Sequence, residues 1–316
     1  MALLVIHTGG TIGMIETAEG YATQQGVVET AVKRMGARTL HDRIDVVCLS
    51  PLIDSAQATP EDWDKIAQAI SAAYNLYDSF AVTHGTDTLA YTAAALCLAL
   101  PGLTKPVIVT GAMLPLTVEG NDGARNLQEA LTTALDAPAG VWVQFAGKQM
   151  HGGRIRKAHS HAFDAFTAEA TKVPPAIKAD AIGHVPVTAH DVAVISITPG
   201  LSTKLVDHAA NTCDGIILRC YGSGTAPDSP EFRAALETAA ARQIPVIAIS
   251  QCPEGGMHMG TYATDSFLRA RGVLDGRDMT LEMAYVKLQY ALSNFNSLTA
   301  QQAYLTTDQC GEYSLS

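Results

Sequence analysis

Charged side chains are scarce in this sequence. Only 16% of its 316 residues are Asp, Glu, Lys or Arg, whereas 47% are hydrophobic. This composition argues against a disordered chain, a coiled coil and a fibrous repeat. Basic residues are fewer than acidic ones. The chain has 21 Lys and Arg and 31 Asp and Glu, which gives a net charge of −10. We therefore predict no general nucleic-acid partner.

Long apolar runs and close cysteine pairs are also missing. No apolar run reaches the roughly 18 residues that a membrane span needs, so we expect no membrane partner. The start, Met1 to His7, lacks the basic region and cleavage site of a signal peptide and is expected to form a first strand. The six cysteines lie mostly in apolar stretches, which favours reduced thiols in a cytoplasmic protein.

Short apolar runs alternate with helical patterns along the chain. Continuous apolar runs are typical of parallel strands covered on both faces. The predicted strands are Leu3–His7, Val46–Leu49, Phe80–Thr83, Pro106–Thr110, Gly140–Phe145, Val192–Ile197, Gly215–Arg219 and Pro245–Ser250. Two helix starts combine an N-cap, a proline and an acid, at Thr59-Pro60 and at Ser229-Pro230, and the second helix is expected to run to about Arg242.

This alternation predicts an α/β protein with two doubly wound domains, a larger N-terminal one and a smaller C-terminal one. We place the first domain at residues 1–180, a proline-containing linker at 181–191 and the second domain at 192–316. In such sheets, ligands bind at the carboxyl ends of the strands.

Two polar turns follow predicted strands directly. The first is Thr8-Gly9-Gly10-Thr11-Ile12-Gly13, and the second is Thr83-His84-Gly85-Thr86-Asp87-Thr88. Glycine lets the backbone turn sharply and approach a ligand closely. The first turn does not fit a dinucleotide-binding pattern, because Thr8 stands where the first glycine belongs, and the next segment reads better as a flexible polar loop than as a helix. Serine-hydrolase and P-loop patterns are absent.

One lysine is a candidate base for a threonine nucleophile, and two histidines are candidate metal ligands. Threonine needs a base, and lysine can serve when its surroundings favour the neutral amine. Lys157 lies in a glycine- and cation-rich stretch that we interpret as a turn after a strand, although a solvated surface lysine remains an alternative. His159 and His161 lack a clear third metal ligand, and His84 is expected to be a hydrogen-bonded residue at a strand end.

The two turns resemble the signature motifs of bacterial-type L-asparaginases. The resemblance extends over nearly the whole chain. Within the family, the sequence is most similar to the type I, cytoplasmic branch. The further segments that carry it are Val109–Met113 with Pro115, Gly153–Lys157, Asp214–Ile216, Tyr221-Gly222, Asp54-Ser55, Thr59–Trp63 and Gln251-Cys252.

The resemblance implies hydrolysis of L-asparagine to L-aspartate and ammonia, without a metal or organic cofactor, by a homodimer or homotetramer. It implies that Thr11 is the nucleophile and that Tyr21, on a glycine-containing loop, closes over the substrate. It further implies that Thr86, Asp87 and Lys157 form a second catalytic group. Asp87 would bind the substrate α-amino group, and Ser55 would bind the α-carboxylate.

Two other functions stay open on the sequence. One is the amidase-like subunit of a tRNA-dependent amidotransferase, which carries an additional N-terminal region and would need a tRNA-binding surface. The other is a non-catalytic amino-acid sensor. A sensor needs no nucleophile, so the presence of Thr11, Thr86, Asp87 and Lys157 together argues against it.

Overall fold

The computed structural model describes residues 1–37, 39, 41–259 and 266–314. The chain divides into two compact units. The first comprises Met1–Val185 with Gln309–Gly311, and the second begins at Pro186. The α/β prediction with a larger N-terminal and a smaller C-terminal domain is confirmed, whereas the linker at 181–191 stays a prediction.

The N-terminal unit is built on a six-stranded sheet. Its order is β4-β1-β5-β6-β7-β8, and all neighbouring pairs are parallel except β7 and β8. The strands are β1 (Ala2–Gly9), β4 (Arg43–Ile53), β5 (Ser79–Thr83), β6 (Pro106–Thr110), β7 (Gly140–Phe145) and β8 (Lys148–His151). Every residue of β5 and β6 is buried, as expected for apolar strands covered on both faces.

Four α-helices lie in the described part of this unit. They are α1 (Val27–Gly36), α2 (Pro60–Ala73), α3 (Leu89–Ala99) and α4 (Gly123–Asp136). The predicted start of α2 is confirmed, because Thr59 is the N-cap, Pro60 follows it, and the Asp62 side chain accepts from the Thr59 N–H at 3.0 Å. Helix α3 is almost wholly buried beside the sheet and begins directly after the second threonine turn.

Two local predictions in this unit are wrong. The segment after the first turn, interpreted as a flexible polar loop, is a β-hairpin of β2 (Met14–Thr17) and β3 (Gly20–Thr23), paired in antiparallel register. Lys157, assigned to a turn, ends strand β9 (Ile155–Lys157), which pairs with β10 (Phe166–Ala168). Both elements are short and polar, so no apolar period marks them in the sequence.

The C-terminal unit contains a four-stranded parallel sheet with the order β11-β12-β13-β14. The strands are β11 (Val192–Ser196), β12 (Gly215–Cys220), β13 (Val246–Ser250) and β14 (Leu274–Asp275). The helices are α5 (Thr203–Thr212), α6 (Pro230–Ala241), α7 (Ser266–Arg269), α8 (Leu281–Asn294) and α9 (Leu298–Thr306). The predicted helix start at Ser229-Pro230 is confirmed, and Ser229 Oγ accepts from the Phe232 N–H at 3.2 Å.

Within the residues that the structure describes, no helix is both long enough and apolar enough to cross a membrane.

Candidate active site

Three chain turns meet at the carboxyl ends of β1, β4 and β5. A Cβ atom on Gly10 would collide with the backbone of Gly85, and a Cβ atom on Gly85 would collide with the side chain of Ser55. Gly10 also has a φ of 82°, a conformation that disfavours L side chains. Glycine at these two positions therefore lets the segments that carry Thr11, Ser55 and Thr86 lie against one another.

Thr11 begins a single turn of 3₁₀ helix, Thr11–Gly13. The turn is held by two backbone hydrogen bonds, from the Gly13 N–H to the Gly10 carbonyl at 3.1 Å and from the Met14 N–H to the Thr11 carbonyl. Thr11 is half-buried, and its hydroxyl makes no hydrogen bond to any residue in the described part of the chain. The hydroxyl is thus free to meet a ligand.

Thr86, Asp87 and Lys157 form one hydrogen-bonded group. Lys157 Nζ donates to Thr86 Oγ1 at 3.0 Å and to Asp87 Oδ1 at 2.7 Å. Thr86 is buried, whereas the Asp87 side chain is 64% exposed. The group therefore has a buried hydroxyl at one end and a carboxylate that faces solvent at the other, with the lysine joining them.

Ser55 is buried at the end of β4, in a 3₁₀ turn of residues Ser55–Gln57. Asp54 caps this turn, because its carboxylate accepts from the Ala56 N–H at 3.1 Å. Thr88 Oγ1 donates to the Ser55 carbonyl at 2.7 Å, which ties the second threonine turn to the Ser55 turn. Thr88 lies within the predicted motif but had no predicted role.

Tyr21 lies on β3, opposite Glu16 of β2, and is 47% exposed. Within the described ranges, no hydrogen bond joins it to Thr11 or to the other predicted site residues. The structure therefore brings together Thr11, Ser55, Thr86, Asp87 and Lys157, and it places Tyr21 on the hairpin that follows Thr11, without a hydrogen bond to these described residues.

His84 is buried beneath the second turn and is hydrogen-bonded, as expected. Its Nδ1 lies 2.8 Å from the Gly85 carbonyl, and its Nε2 lies 3.0 Å from Thr92 Oγ1. Since a carbonyl only accepts, Nδ1 carries the proton and Nε2 accepts from the Thr92 hydroxyl. Burial lowers the pKa of His84 below its usual value, so the ring is neutral near pH 7.

Asp122 supports the site and was missed by the sequence reasoning. Its carboxylate accepts from the N–H groups of Met113 and Leu114, at distances of 2.9–3.0 Å, and from the Asn126 side chain at 3.1 Å. These bonds organise the loop after β6, and the Leu116 N–H of that loop donates to the Ile12 carbonyl at 3.3 Å. An Asp before a helix signals only a cap, so the sequence carries no sign of this role.

His159 and His161 form no metal site with the other residues that the structure describes. Both are exposed, and His159 Nδ1 accepts from the His161 N–H at 3.0 Å. Among residues 1–37, 39, 41–259 and 266–314, no group of three or more His, Cys, Asp and Glu side chains is arranged to hold a metal ion.

These features define a two-domain α/β protein with two threonine turns converging on a lysine and an aspartate. The family profile for the asparaginase N-terminal domain matches residues 2–185, and the profile for the glutaminase/asparaginase C-terminal domain matches residues 191–305. The chain therefore belongs to the asparaginase family.

Individual relatives agree with this assignment. L-asparaginase 1 of Escherichia coli strain K12 is 38% identical over 313 residues, which cover 92% of each chain. The structure of the thermostable L-asparaginase from Thermococcus kodakarensis has a TM-score of 0.91 at 32% identity and covers 100% of both chains. L-asparaginase I from Vibrio cholerae has a TM-score of 0.90 at 32% identity and covers 99% of both. The predicted resemblance to the type I branch is confirmed.

The Gly10–Gly85 contact yields a prediction. We expect Gly10→Ala to lower both the free energy of unfolding and any activity of the site, because its Cβ would force the two threonine turns apart. Gly120→Ala is the matched control, since Gly120 has a φ of 74° but no atom within 4 Å of a built Cβ. Both variants carry the strain of a left-handed residue, on the order of 1 kcal/mol, and only Gly10→Ala adds a collision. Equal losses of stability in urea unfolding would contradict this account.

The neutral state of His84 yields a second prediction. Its pKa is lowered in the folded protein, so the unfolded chain binds the proton first as the pH falls. Stability linked to His84 is fully present above about pH 6.5 and is lost as the pH falls below that value. We expect the loss between pH 7.5 and 5.5 to be at most about 1.4 kcal/mol for this residue. Urea unfolding of wild type and His84→Gln at both pH values measures it, and identical pH dependences would contradict the prediction.

Proposed function

We propose that the protein is an L-asparaginase that hydrolyses L-asparagine to L-aspartate and ammonia through an acyl-enzyme on Thr11. One observation carries the proposal: Thr86 and Asp87, both bonded by Lys157 of β9, lie on a turn whose Gly85 backbone contacts the Gly10 backbone beside Thr11. The named relatives are asparaginases, which favours this function over the amidotransferase and sensor alternatives.

The substrate is a small zwitterion, so its site needs an anion for the ammonium group and hydrogen-bond donors for the carboxylate. Asp87 is placed to supply the anion, because Lys157 bonds only its Oδ1 and the side chain is largely exposed. Ser55 supplies a hydroxyl donor close to Gly85. These two residues would orient the side-chain amide toward the threonine turns.

In the proposed acylation step, Thr11 Oγ1 attacks the amide carbon while a base takes its proton. The base passes that proton to the amide nitrogen, the carbon–nitrogen bond breaks, and ammonia departs from the tetrahedral intermediate. The hydroxyl makes no other bond in the described part of the chain, so nothing has to be broken before attack. Backbone N–H groups near Gly85 and Thr86 are candidates for binding the oxyanion.

In the proposed second step, water attacks the ester carbon, the bond from that carbon to Thr11 Oγ1 breaks, and a proton from the water returns to Thr11 as aspartate is released. Lys157 donates to Thr86 Oγ1, so the Thr86 hydroxyl keeps its own proton to donate elsewhere in the site. Thr86 and Lys157 would thereby orient the water and relay protons during hydrolysis. All these groups are protein side chains, and the proposed reaction uses no metal or organic cofactor.

Tyr21 would act from the hairpin. In the structure it is half exposed and makes no hydrogen bond to the described site residues, so its proposed role requires the hairpin to close over bound substrate. A cytoplasmic location and assembly into homodimers or homotetramers are further proposals, supported by the likeness to type I asparaginases.

Thr11→Val tests the nucleophile. The variant keeps the β-branched shape and removes only the hydroxyl, so we expect folding and asparagine binding to persist while kcat falls by about a thousand-fold or more. Ammonia release and calorimetric binding are the measurements. Thr299→Val, an exposed position on α9, is the control and should retain full turnover. Near-normal turnover of Thr11→Val would contradict the proposed mechanism.

Asp87→Ala tests substrate recognition. Charge-assisted bonds are worth on the order of 1.5–3 kcal/mol, so kcat/KM for asparagine should fall at least about ten-fold. Succinamic acid lacks the α-ammonium group and should lose less. We therefore expect the variant to show a narrower preference for asparagine over succinamate. An unchanged ratio would mean that Asp87 does not bind the ammonium group.

A further inference from the structure

His7 is a fully buried histidine on β1, one residue before the first threonine turn, and the mechanism above does not use it. Its Nδ1 lies 2.8 Å from Thr83 Oγ1, on the neighbouring strand β5. Its Nε2 is buried and has no hydrogen-bond partner among the residues that the structure describes. An unpaired buried nitrogen lowers stability, so its presence calls for a physical reason.

The free edge of the His7 ring lies against the first threonine turn. A Cβ atom on Gly13 would stand 2.8 Å from both Cε1 and Nε2 of His7. Gly13 has no left-handed φ, so glycine is required here for space and not for backbone conformation. The ring occupies the volume that any side chain at position 13 would need.

The turn transmits this contact to Thr11. Gly13 closes the 3₁₀ turn through its N–H bond to Gly10, and Thr11 lies inside that turn. A displacement of Gly13 would therefore rotate the Thr11 backbone and move its hydroxyl. Sub-ångström changes of this kind affect rates strongly, because attack requires an aligned oxygen.

We propose that His7 is a positioning residue for Thr11: anchored to Thr83 through Nδ1, it supports the Thr11 turn from beneath through its contact with Gly13. The inference rests on the proposed function, in which Thr11 is the nucleophile. Burial lowers the pKa of His7 and outweighs the opposite effect of the nearby Glu29 carboxylate, so the ring is neutral near pH 7.

Two other side chains near the His7 ring, Glu29 and Cys48, are connected to the far end of the β2–β3 hairpin. Glu29 of α1 accepts from the Gly26 N–H at 3.0 Å and from Cys48 Sγ at 3.0 Å, and Cys48 is the strand neighbour of His7 on β4. Gly13 and Gly26 bracket the β2–β3 hairpin. His7 thus supports the chain where it enters the hairpin, at Gly13 before β2. Glu29 fixes the chain where it leaves the hairpin, at Gly26 after β3.

The test uses His7→Asn, Gly13→Ala and the double variant in the full-length protein. Asparagine can keep a hydrogen bond to Thr83, so His7→Asn should fold, but it removes the ring edge from beneath Gly13. We expect kcat to fall about ten-fold or more while KM changes little. Gly13→Ala alone should also lower kcat, because its methyl group would meet the ring. In the double variant the methyl group enters the vacated space, and we expect kcat to recover most of the loss.

Two further measurements separate positioning from general stability and from the proposed function itself. Leu3→Ala, a buried position earlier on β1, should lower the free energy of unfolding and leave kcat near wild type below its melting temperature. Hydrogen–deuterium exchange over residues 10–14 should rise in His7→Asn and return toward wild type in the double variant.

If the wild type releases no ammonia from asparagine, the proposed function fails and the exchange data alone decide the role of His7. Wild-type kcat and exchange in His7→Asn, or no recovery in the double variant, would overturn the proposal.

Discussion

The whole site depends on a close approach between two backbone segments. Gly10 and Gly85 contact one another directly, so a side chain on Gly10 would push the two threonine turns apart, and a side chain on Gly85 would collide with Ser55. The parallel sheet brings the carboxyl ends of β1 and β5 side by side, but adjacent strands alone do not bring their loops into contact. Two glycines convert neighbouring strand ends into a single site.

Around this contact, some side chains are proposed to react with the substrate, and others hold the reactive side chains in position. Lys157 lies on β9, far from the second turn in sequence, and it donates hydrogen bonds to both Thr86 and Asp87. One side chain therefore fixes the positions of the buried hydroxyl and the exposed carboxylate. His84, kept neutral by burial, bonds the Gly85 carbonyl and fixes the backbone of the second turn. Asp122 organises the loop that bonds to Ile12 of the first turn. The supporting side chains, His84 and Asp122, thus act by bonding the backbone of the turns and loops that carry the reactive groups.

The sequence was sufficient for the main strands, for two helix starts and for picking out the five residues that the structure brings together. Continuous apolar runs marked β5 and β6, and the proline after an N-cap marked α2. The hairpin was missed because its four-residue strands are largely exposed and carry no apolar alternation. The supporting roles of His7 and Asp122 could not be foreseen, since each depends on contacts between residues distant in the chain or on the space left by a glycine. The catalytic roles of Thr11, Tyr21, Ser55, Thr86, Asp87 and Lys157 stay predictions.

The central claim is that Thr11 becomes covalently acylated during hydrolysis of asparagine. Mass spectrometry of the protein, quenched in acid during turnover and digested with pepsin, tests it most directly. The account predicts an aspartyl ester on the peptide that contains Thr11, present with asparagine and absent in the Thr11→Val variant. An ester on the Thr86 peptide, or rapid hydrolysis with no adduct on Thr11 under conditions that trap esters, would contradict it.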